Sequence, residues 1–313
     1  MKEKLYYSLS AFLKERFGER VRKIPLDAGL LCPNRDGTKG YGGCIYCNPR
    51  GSGTGLSLKG IPLKEQLTLF LENYKKKGFR KFIAYFQSFS NTYAPPELLD
   101  RIYSVVFSDS SIVGIAIGTR PDCINQEVIK VLKKYQKLGY YLWIELGLQS
   151  KHNKTLKLIN RGHTLEDFVE AYEILKQNDF PVVVHIIFGL PGETEEMMLE
   201  TIVTLSELKV DGVKFHSLYI VKGSKMDELY QRGEYVPLEM EEYAYLVARS
   251  LTLLPPKTVI HRLTSEAKIE EISGPLWAST KHQVINKIHR ILLENDWYQG
   301  KFYPYLGEAG KKV

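Results

Sequence analysis

The chain has 313 residues, of which 44% are hydrophobic and 25% are charged, a composition typical of ordinary globular proteins. It contains no run of eighteen or more apolar residues, and its N-terminus leads into a charged amphipathic pattern, so we expect a cytoplasmic protein without a membrane span or secretory signal. The formal net charge is +7, with ten Lys/Arg against five Asp/Glu in residues 1–50, which indicates a polyanionic partner. A second basic group lies between Lys75 and Lys81, where the solvated end of a helix is an equally good interpretation.

The first elements lead directly to an unusual loop. Leu5, Leu9, Phe12 and Leu13 have helical spacing and predict a helix over residues 3–18 that ends at Gly18. A short extended segment over 21–26 follows and delivers the chain to a glycine-rich loop.

That loop holds three of the four cysteines, Cys32, Cys44 and Cys47, with eleven residues between the first two. Three thiolates on a flexible loop can surround a metal centre and leave one position unfilled. A closed zinc site normally takes its four ligands as two close pairs, so the pattern favours an iron–sulfur cluster held by three thiolates. A structural zinc site completed by a distant histidine stays open as the alternative.

The rest of the chain alternates between apolar runs and helical windows. The apolar runs that predict buried strands are 82–87, 112–118, 141–148, 182–189 and 212–220. The helical windows between and around them are 64–77, 96–107, 125–137, 164–177 and 194–208. With the strand at 21–26, this alternation predicts an α/β protein with a partial (β/α)6 TIM-like barrel, and a doubly wound sheet is the alternative.

The alternation fades near residue 230. Helical windows at 239–252 and 280–294 and a strand-like segment at 258–263 predict a C-terminal α/β extension. The predicted division is therefore an N-terminal helix over 1–19, a barrel over 20–230 and an extension over 231–313. Polar side chains of the extension that could border a substrate are His261, Arg262, Trp277, Lys281 and His282, although Trp277 in the core and Lys281 on the surface is the simpler interpretation.

Unusual polar residues follow the strands and do not precede them. After the cysteine loop, the strand ends carry Gln87, Ser88 and Asn91, then Arg120, Asp122 and Cys123, then Glu145 and Gln149, then Gly189 and Gly192, and finally residues 219–224. Barrels keep their chemistry where strands end, so this pattern predicts one active mouth and favours the barrel.

With Tyr46 directly before the third thiol and the Gly189-Leu-Pro-Gly192 turn after the fifth strand, the chain resembles the radical SAM superfamily over roughly residues 20–225. The long first cysteine spacing, the Gln-x-x-x-Asn-Thr-Tyr motif at 87–93, Gly-Thr-Arg-Pro-Asp at 118–122, Glu-Leu-Gly-Leu-Gln-Ser at 145–150 and Arg161-Gly-His163-Thr resemble its YhcC-type group. That group is related to the catalytic subunit of elongator.

The resemblance implies a [4Fe-4S] cluster on Cys32, Cys44 and Cys47, with one iron left open for S-adenosylmethionine (SAM). It also implies a reducing partner such as flavodoxin or ferredoxin. Reductive cleavage of SAM would give a 5′-deoxyadenosyl radical, while the barrel positions and shields the reactants.

The resemblance also implies residue roles. Tyr46 would lie near the adenine, and Gln87, Ser88 and Asn91 near the methionyl amino group. Glu145 and Gln149 would face the ribose and methionyl part. Arg161 resembles an arginine that pairs with the SAM carboxylate, which its planar fork can meet bidentately.

Other positions keep two interpretations. Some relatives hold an aspartate for the ribose where this chain has His185, so a core histidine bonded to the backbone is the alternative. Gly189 and Gly192 would let the backbone approach the adenine. Arg120, Asp122 and His163 could contact SAM or substrate, unless Arg120 and Asp122 form a structural ion pair, and Cys123 is expected to be a small buried residue.

The related enzymes and the basic N-terminal residues indicate tRNA as the substrate, with the side chain of the wobble uridine as the group modified. The alternatives are a radical SAM enzyme for a small metabolite and a non-enzymatic, zinc-stabilised RNA-binding barrel. Nothing after residue 230 is long enough for the acetyltransferase region that elongator carries, so acetyl transfer is not expected.

Overall fold

The computed structural model describes residues 5–48, 51 and 53–304. The first helix, α1, runs over Leu9–Phe17, beginning after the Ser8 side chain, which accepts a hydrogen bond from the Ala11 amide, and ending at Gly18 in the left-handed region at φ 76°. It begins later than predicted, since Ser8 is extended, and predicted helix residues 3 and 4 lie outside the described residues. β1 then runs over Val21–Leu26.

The remaining elements follow the predicted alternation closely. In chain order they are α2 Leu63–Lys76, β2 Lys81–Phe86, α3 Pro96–Tyr103, β3 Ile112–Thr119, α4 Gln126–Lys137, β4 Tyr141–Gln149, α5 Asn153–Leu158, α6 Leu165–Gln177, β5 Val182–Phe188, α7 Glu195–Glu207, β6 Gly212–Ser217, β7 Ile220–Val221, α8 Lys225–Gln231, α9 Met240–Leu253, β8 Val259–Arg262, β9 Ile272–Gly274 and α10 Lys281–Glu294. The short α5 after β4 and the pairing of β7 with β9 were not predicted.

The main sheet has seven strands in the order β1-β2-β3-β4-β5-β6-β8, each parallel to its neighbour. The order runs straight from the first strand to the last without closing on itself, so the sheet is a curled half-barrel and the predicted partial α/β barrel is confirmed. The seventh strand comes from the segment at 258–263 that the sequence assigned to the extension. It pairs with β6, so the extension completes the sheet. The division at residue 230 stays a prediction.

The N-terminal segment lies between the two edges of the half-barrel. The Ile260 amide of β8 donates to the Tyr7 carbonyl at 2.8 Å, and Ser8 forms a parallel bridge with Ile260. From there α1 leads into β1 at the other edge, with Phe12 packed against Tyr141 at a ring distance of 5.8 Å. This segment therefore covers the opening at the end of the barrel opposite the cysteine loop.

Two apolar regions hold the sheet. The larger one packs the outer face of the strands against the helices, with residues such as Phe82, Phe86, Phe168 and Phe215 fully buried. A smaller group inside the barrel contains Ile83, Tyr85, Ala116, Trp143 and Val183. Within the described part of the chain, no helix is long and apolar enough to cross a membrane.

Candidate active site at the barrel mouth

A cavity of about 200 Å³ opens where the parallel strands end. Eleven of the fourteen predicted site residues line it: Cys32, Cys44, Tyr46, Cys47, Gln87, Ser88, Arg120, Glu145, Gln149, Arg161 and His185. Side chains as far apart in the chain as Cys32 and His185 therefore meet in one place, as the strand-end pattern predicted.

The cysteine loop is fixed between two helices. The Ile45 amide donates to the Ile159 carbonyl after α5 at 3.1 Å, and the Met226 amide of α8 donates to the Ile45 carbonyl at 3.0 Å. Asn34 donates to the Asn160 carbonyl at 2.5 Å, and its amide nitrogen lies 3.8 Å from Cys44 Sγ. The loop that carries the thiols is therefore anchored on both sides of the mouth.

Cys44 lies beside a buried guanidinium. Arg161 Nη1 donates to Cys44 Sγ at 3.7 Å. Burial raises the pKa of the Cys44 thiol, but the positive charge and hydrogen bond of Arg161 outweigh burial and leave that pKa below its ordinary value. The site thus favours a thiolate at Cys44, which is the form that binds metal.

Arg161 is held rigidly by backbone and by a neutral histidine. Its Nη2 donates to the Gly147 carbonyl at 2.7 Å, and its Nε donates to His163 Nε2 at 2.9 Å. His163 Nδ1 in turn donates to the Thr164 carbonyl at 3.0 Å, the tautomer that leaves Nε2 free to accept. Burial, together with the charge of Arg161, lowers the pKa of His163 to about 3, so the imidazole stays neutral.

Arg120 and Asp122 form a bidentate ion pair, with Arg120 Nε and Nη2 donating to the carboxylate at 2.9 and 3.0 Å. Lys39 from the cysteine loop lies 3.2 Å from the same carboxylate. The structural ion pair is therefore present, yet Arg120 also lines the cavity, and its buried Nη1 atom has no hydrogen-bond partner among the described residues.

The loop after β2 brings further unpaired polar atoms to the cavity. Ser88 has a φ of 89°, and the hydroxyl oxygens of Ser88 and Ser90 are buried without a described partner. Asn91 stands behind this loop, where its amide nitrogen donates to the carbonyls of Ser88 and Gly118 at 3.0 and 2.9 Å. Asn91 thus fastens the loop to β3 and does not line the cavity.

Glu145 is the centre of a buried polar network. It accepts from Lys23 at 2.8 Å, Lys214 at 2.9 Å, His185 Nε2 at 2.8 Å and Trp143 Nε1 at 3.1 Å. Burial alone would raise its pKa, but Lys214 and Lys23 hold the pKa well below its usual range, so the carboxylate is ionised. His185 is therefore bonded to a carboxylate and not to the backbone.

The comparisons with known proteins identify this arrangement. Residues 36–205 match the radical SAM superfamily, and residues 210–294 match the radical SAM C-terminal domain. This chain belongs to the radical SAM superfamily.

Individual relatives agree with that assignment. The chain is 40% identical to YtqA of Bacillus subtilis, over 98% of this chain and 95% of YtqA, and 36% identical to YhcC of Escherichia coli K12, over 94% of each protein. It is also 35% identical to the tRNA uridine(34) acetyltransferase of Methanocaldococcus infernus, over 46% of this chain and 27% of that enzyme. The structure of Elp3 from the same archaeon has the same fold, with a TM-score of 0.68 at 20% identity, covering 92% of this chain and 68% of Elp3.

Radical SAM enzymes use a [4Fe-4S] cluster and SAM, and the residues at this mouth fit both. Three thiols supply the three ligands that such a cluster takes, and the unpaired atoms of Ser88, Ser90 and Arg120 can bind a polar cofactor beside them. Among the described residues, no three His, Cys, Asp or Glu side chains are arranged to bind a single metal ion.

Three predicted cofactor residues lie outside the cavity lining. Asn91 lies behind the loop after β2. Gly189 packs under Leu238, and its carbonyl accepts from the Tyr235 hydroxyl at 2.6 Å. Gly192 faces Leu158. The residues that line this side of the cavity are Ile187 and Leu218. Cys123 is also outside the lining, and burial raises its pKa to about 12, which agrees with an inert thiol.

Sequence reasoning missed Tyr85, Lys214 and His216. Tyr85 and His216 line the cavity, and Lys214 donates to the Tyr85 hydroxyl at 2.8 Å. The missed signal was in β6, where Lys214 and His216 are two polar residues two positions apart in an apolar run. Alternation places both on one face of the strand, and that face is the barrel interior.

Proposed function

We propose that this radical SAM enzyme modifies the side chain of uridine 34 in tRNA. The observation that carries the proposal is its 35% identity, over 147 residues, to an archaeal protein named for acting on that nucleotide. The alternative, a small-metabolite substrate, has no comparable support.

In this proposal Cys32, Cys44 and Cys47 would hold the cluster, and Ser88 and Arg120 would bind SAM beside it. The bound cluster and SAM would together supply radical chemistry. Arg161, which neutral His163 holds beside Cys44, positions the SAM carboxylate and keeps positive charge near the thiolate. The buried walls keep water from the reacting atoms.

The surface around the cysteine loop suits an RNA backbone. α5 and α8 hold Ile45 between them, and they and the turn before α8 carry four exposed lysines, Lys154, Lys157, Lys222 and Lys225. Tyr41, on the same loop as the thiols, is 78% exposed and could stack on a base. Lysines near the mouth would bind phosphates while a splayed-out base enters the cavity.

The basic group between Lys75 and Lys81 does not belong to this surface. It spans the end of α2 and the start of β2, so it lies at the end of the sheet opposite the thiols. Lys75 pairs with Asp109 at 2.7 Å and Lys81 with Glu19 at 3.4 Å. Its interpretation as a solvated helix end is the better one.

The proposal does not include acetyl transfer. The similarity to the archaeal acetyltransferase covers only 27% of that enzyme. A cytoplasmic location and a flavodoxin-like or ferredoxin-like reductant complete the proposal, since tRNA is cytoplasmic and the cluster needs an external electron.

The test has two parts. Anaerobically purified protein given reductant and SAM should release 5′-deoxyadenosine, and Cys44→Ser should abolish the release while Cys123→Ser, which changes a thiol outside the cavity, should retain it. Nucleosides of tRNA from a deletion strain should then differ from wild type at position 34. An unchanged nucleoside profile alongside active SAM cleavage would refute the tRNA substrate and leave the enzyme class intact.

A further inference from the structure

Tyr85, Glu145 and His216 line the inner part of the cavity, and a group of basic side chains inside the barrel lies at or directly behind them. We call this group the cationic floor and define it as Lys23 of β1, Lys214 and His216 of β6, and Arg262 of β8. Lys214 and Arg262 are register partners in neighbouring strands, and Tyr85 and His216 form part of the cavity wall. The floor is therefore next to the space that a substrate would fill.

The floor carries more positive charge than its own acids neutralise. Glu145 pairs with Lys23 and Lys214 at 2.8 and 2.9 Å, and the charge of Arg262 acts on Glu266, so the three cationic side chains Lys23, Lys214 and Arg262 outnumber these two carboxylates. Arg262 makes no hydrogen bond or ion pair with any described residue, and its charge influences Lys214 and His216. Burial, with the charges of Lys23 and Arg262 adding to it, lowers the pKa of Lys214 to about 7 despite the ion pair with Glu145.

The hydrogen bonds of the floor are also incomplete on the cavity side. His216 Nε2 is buried and has no partner among the described residues, while its Nδ1 lies 3.4 Å from the Ser265 hydroxyl. Lys214 uses two of its three N–H groups, on Tyr85 and Glu145. A buried polar atom on a cavity wall marks the place where a ligand atom would complete its hydrogen bonding.

The cluster does not account for this positive charge. Arg161 donates a hydrogen bond to Cys44, and the charge of Arg35 favours the thiolate form of Cys47. Two arginines outside the floor therefore already provide positive charge to the thiolates. The floor groups hydrogen-bond to Glu145 and Tyr85, and none of them contacts a cysteine within the described ranges. The surplus charge therefore faces the substrate side of the cavity.

We propose that the cationic floor is a subsite for an anionic group of the substrate, a carboxylate or a phosphate, bound by the Lys214 ammonium and His216 in the field of Arg262. The Ser265 hydroxyl donates to the Ser217 carbonyl, so its 3.4 Å contact with His216 Nδ1 favours the hydrogen on Nδ1, and a bound anion would select the other tautomer, with the hydrogen on Nε2. This deepens the proposed function, because the anion would belong to the nucleotide that enters the barrel. A carboxylate would be an acidic substituent on the base, and a phosphate would belong to the nucleotide backbone.

The subsite can be tested without RNA. Cluster-loaded protein is heated under anaerobic conditions in sodium acetate or sodium methyl phosphate, each against sodium chloride at equal ionic strength, with acetamide as the neutral probe. An anion that binds only the folded protein raises the thermal midpoint, by roughly a few degrees when its concentration is well above the dissociation constant. We expect a rise with at least one anion and none with acetamide.

Three variants test whether the rise in thermal midpoint comes from anion binding at the cationic floor. His216→Phe and Arg262→Gln should lose at least half of the rise, whereas Lys137→Gln, which removes an exposed positive charge at the end of α4, away from the mouth, should keep it. A rise with acetate alone identifies a carboxylate, and a rise with methyl phosphate alone identifies a phosphate. No rise in the wild type, or a rise that both floor variants retain in full, would overturn the subsite, and either result leaves SAM cleavage and the tRNA assay to be judged on their own.

Discussion

Replacing Glu145 by Gln removes the charge at the centre of the barrel interior while keeping the shape of the side chain. The carboxylate is wholly buried, and four donors converge on it, two on each oxygen. The amide that replaces it has one oxygen and one NH2 group, so two of the four donors must face another donor. Lys214 and His185 are the pair that can adapt, since Lys214 can lose a proton and His185 can change tautomer.

The expected loss of unfolding free energy follows from these contacts. Removing one partner of a buried ion pair costs about 3–5 kcal/mol of unfolding free energy, because the remaining charge is left uncompensated. Glu145 raises the pKa of Lys214, which is about 7 in the wild type, so in the variant this pKa falls further. At pH values between the Lys214 pKa of the variant and that of the wild type, the folded variant binds fewer protons than the folded wild type. The unfolding free energy of the variant therefore rises more steeply with pH. The difference in unfolding free energy between wild type and variant should be largest near pH 5.5. It should narrow as pH approaches 7, by at most about 1.4 kcal/mol per pH unit.

Urea unfolding of both proteins, followed by circular dichroism at pH 5.5 and pH 8, measures this difference. The matched control is Glu127→Gln, whose carboxylate pairs with Lys130 on an exposed helix surface and should cost less than about 0.5 kcal/mol. A loss of under about 1 kcal/mol in Glu145→Gln, or a difference that does not change with pH, would refute the ion-pair network as described.

Three further outcomes are expected. Gly147→Ala should destabilise the protein by about 1–3 kcal/mol and weaken SAM binding in equilibrium dialysis, because the new Cβ would lie 2.5 Å from Arg161 Nη2. The control is Gly118→Ala, whose new Cβ would have its nearest contact at 3.4 Å. Equal effects of the two substitutions would contradict the reasoning. His163→Ala should cost about 1–3 kcal/mol in urea unfolding by leaving the Arg161 Nε–H unpaired, and a neutral result would mean that the pair does not stabilise the protein. Burial, and then Lys214, lowers the pKa of His185 to about 4, so the unfolded chain takes up a proton first and His185 alone should lower stability by about 3 kcal/mol between pH 6.5 and 4. His163, His216 and His261, whose pKa values are also lowered, add to the total loss. His185→Gln should therefore reduce the total loss by about 3 kcal/mol, and an unchanged slope would exclude His185 as a contributor.

Periodicity predicted the fold well because strands buried on both faces have a strong signature. Apolar runs such as 82–87 and 182–189 differ from the observed strands by one residue at either end. The seventh strand was harder to place, since Val259–Arg262 has four residues and no helix-strand repeat after it. Its membership in the sheet depends on pairing with β6, and pairing is not visible in a local pattern.

For the candidate site, too, local features could be predicted from the sequence and contacts with other residues could not. A motif predicted that Arg161 lies at the mouth, but the same motif suggested only that His163 could contact SAM or substrate. A sequence does not reveal the hydrogen bond between these two side chains of one loop. Gly189 was expected to approach the adenine, yet the packing of Leu238 and Tyr235 from beyond the strand covers it. Local sequence predicts which strand end a residue occupies, whereas its facing residue depends on distant parts of the chain.

Two buried groups at different depths of the site each keep one protonation state: His163 stays neutral and Glu145 stays ionised. His163 can accept from Arg161 only while it is neutral, and its pKa of about 3 ensures that over the physiological range. Glu145 can gather Lys23 and Lys214 only while it is ionised, and those two lysines hold its pKa well below the usual range. Neither His163 nor Glu145 changes its charge near neutral pH, whereas Lys214, with a pKa of about 7, does. An anion bound beside Lys214 would favour its protonated form, and anion binding at the floor should therefore weaken as pH rises above 7.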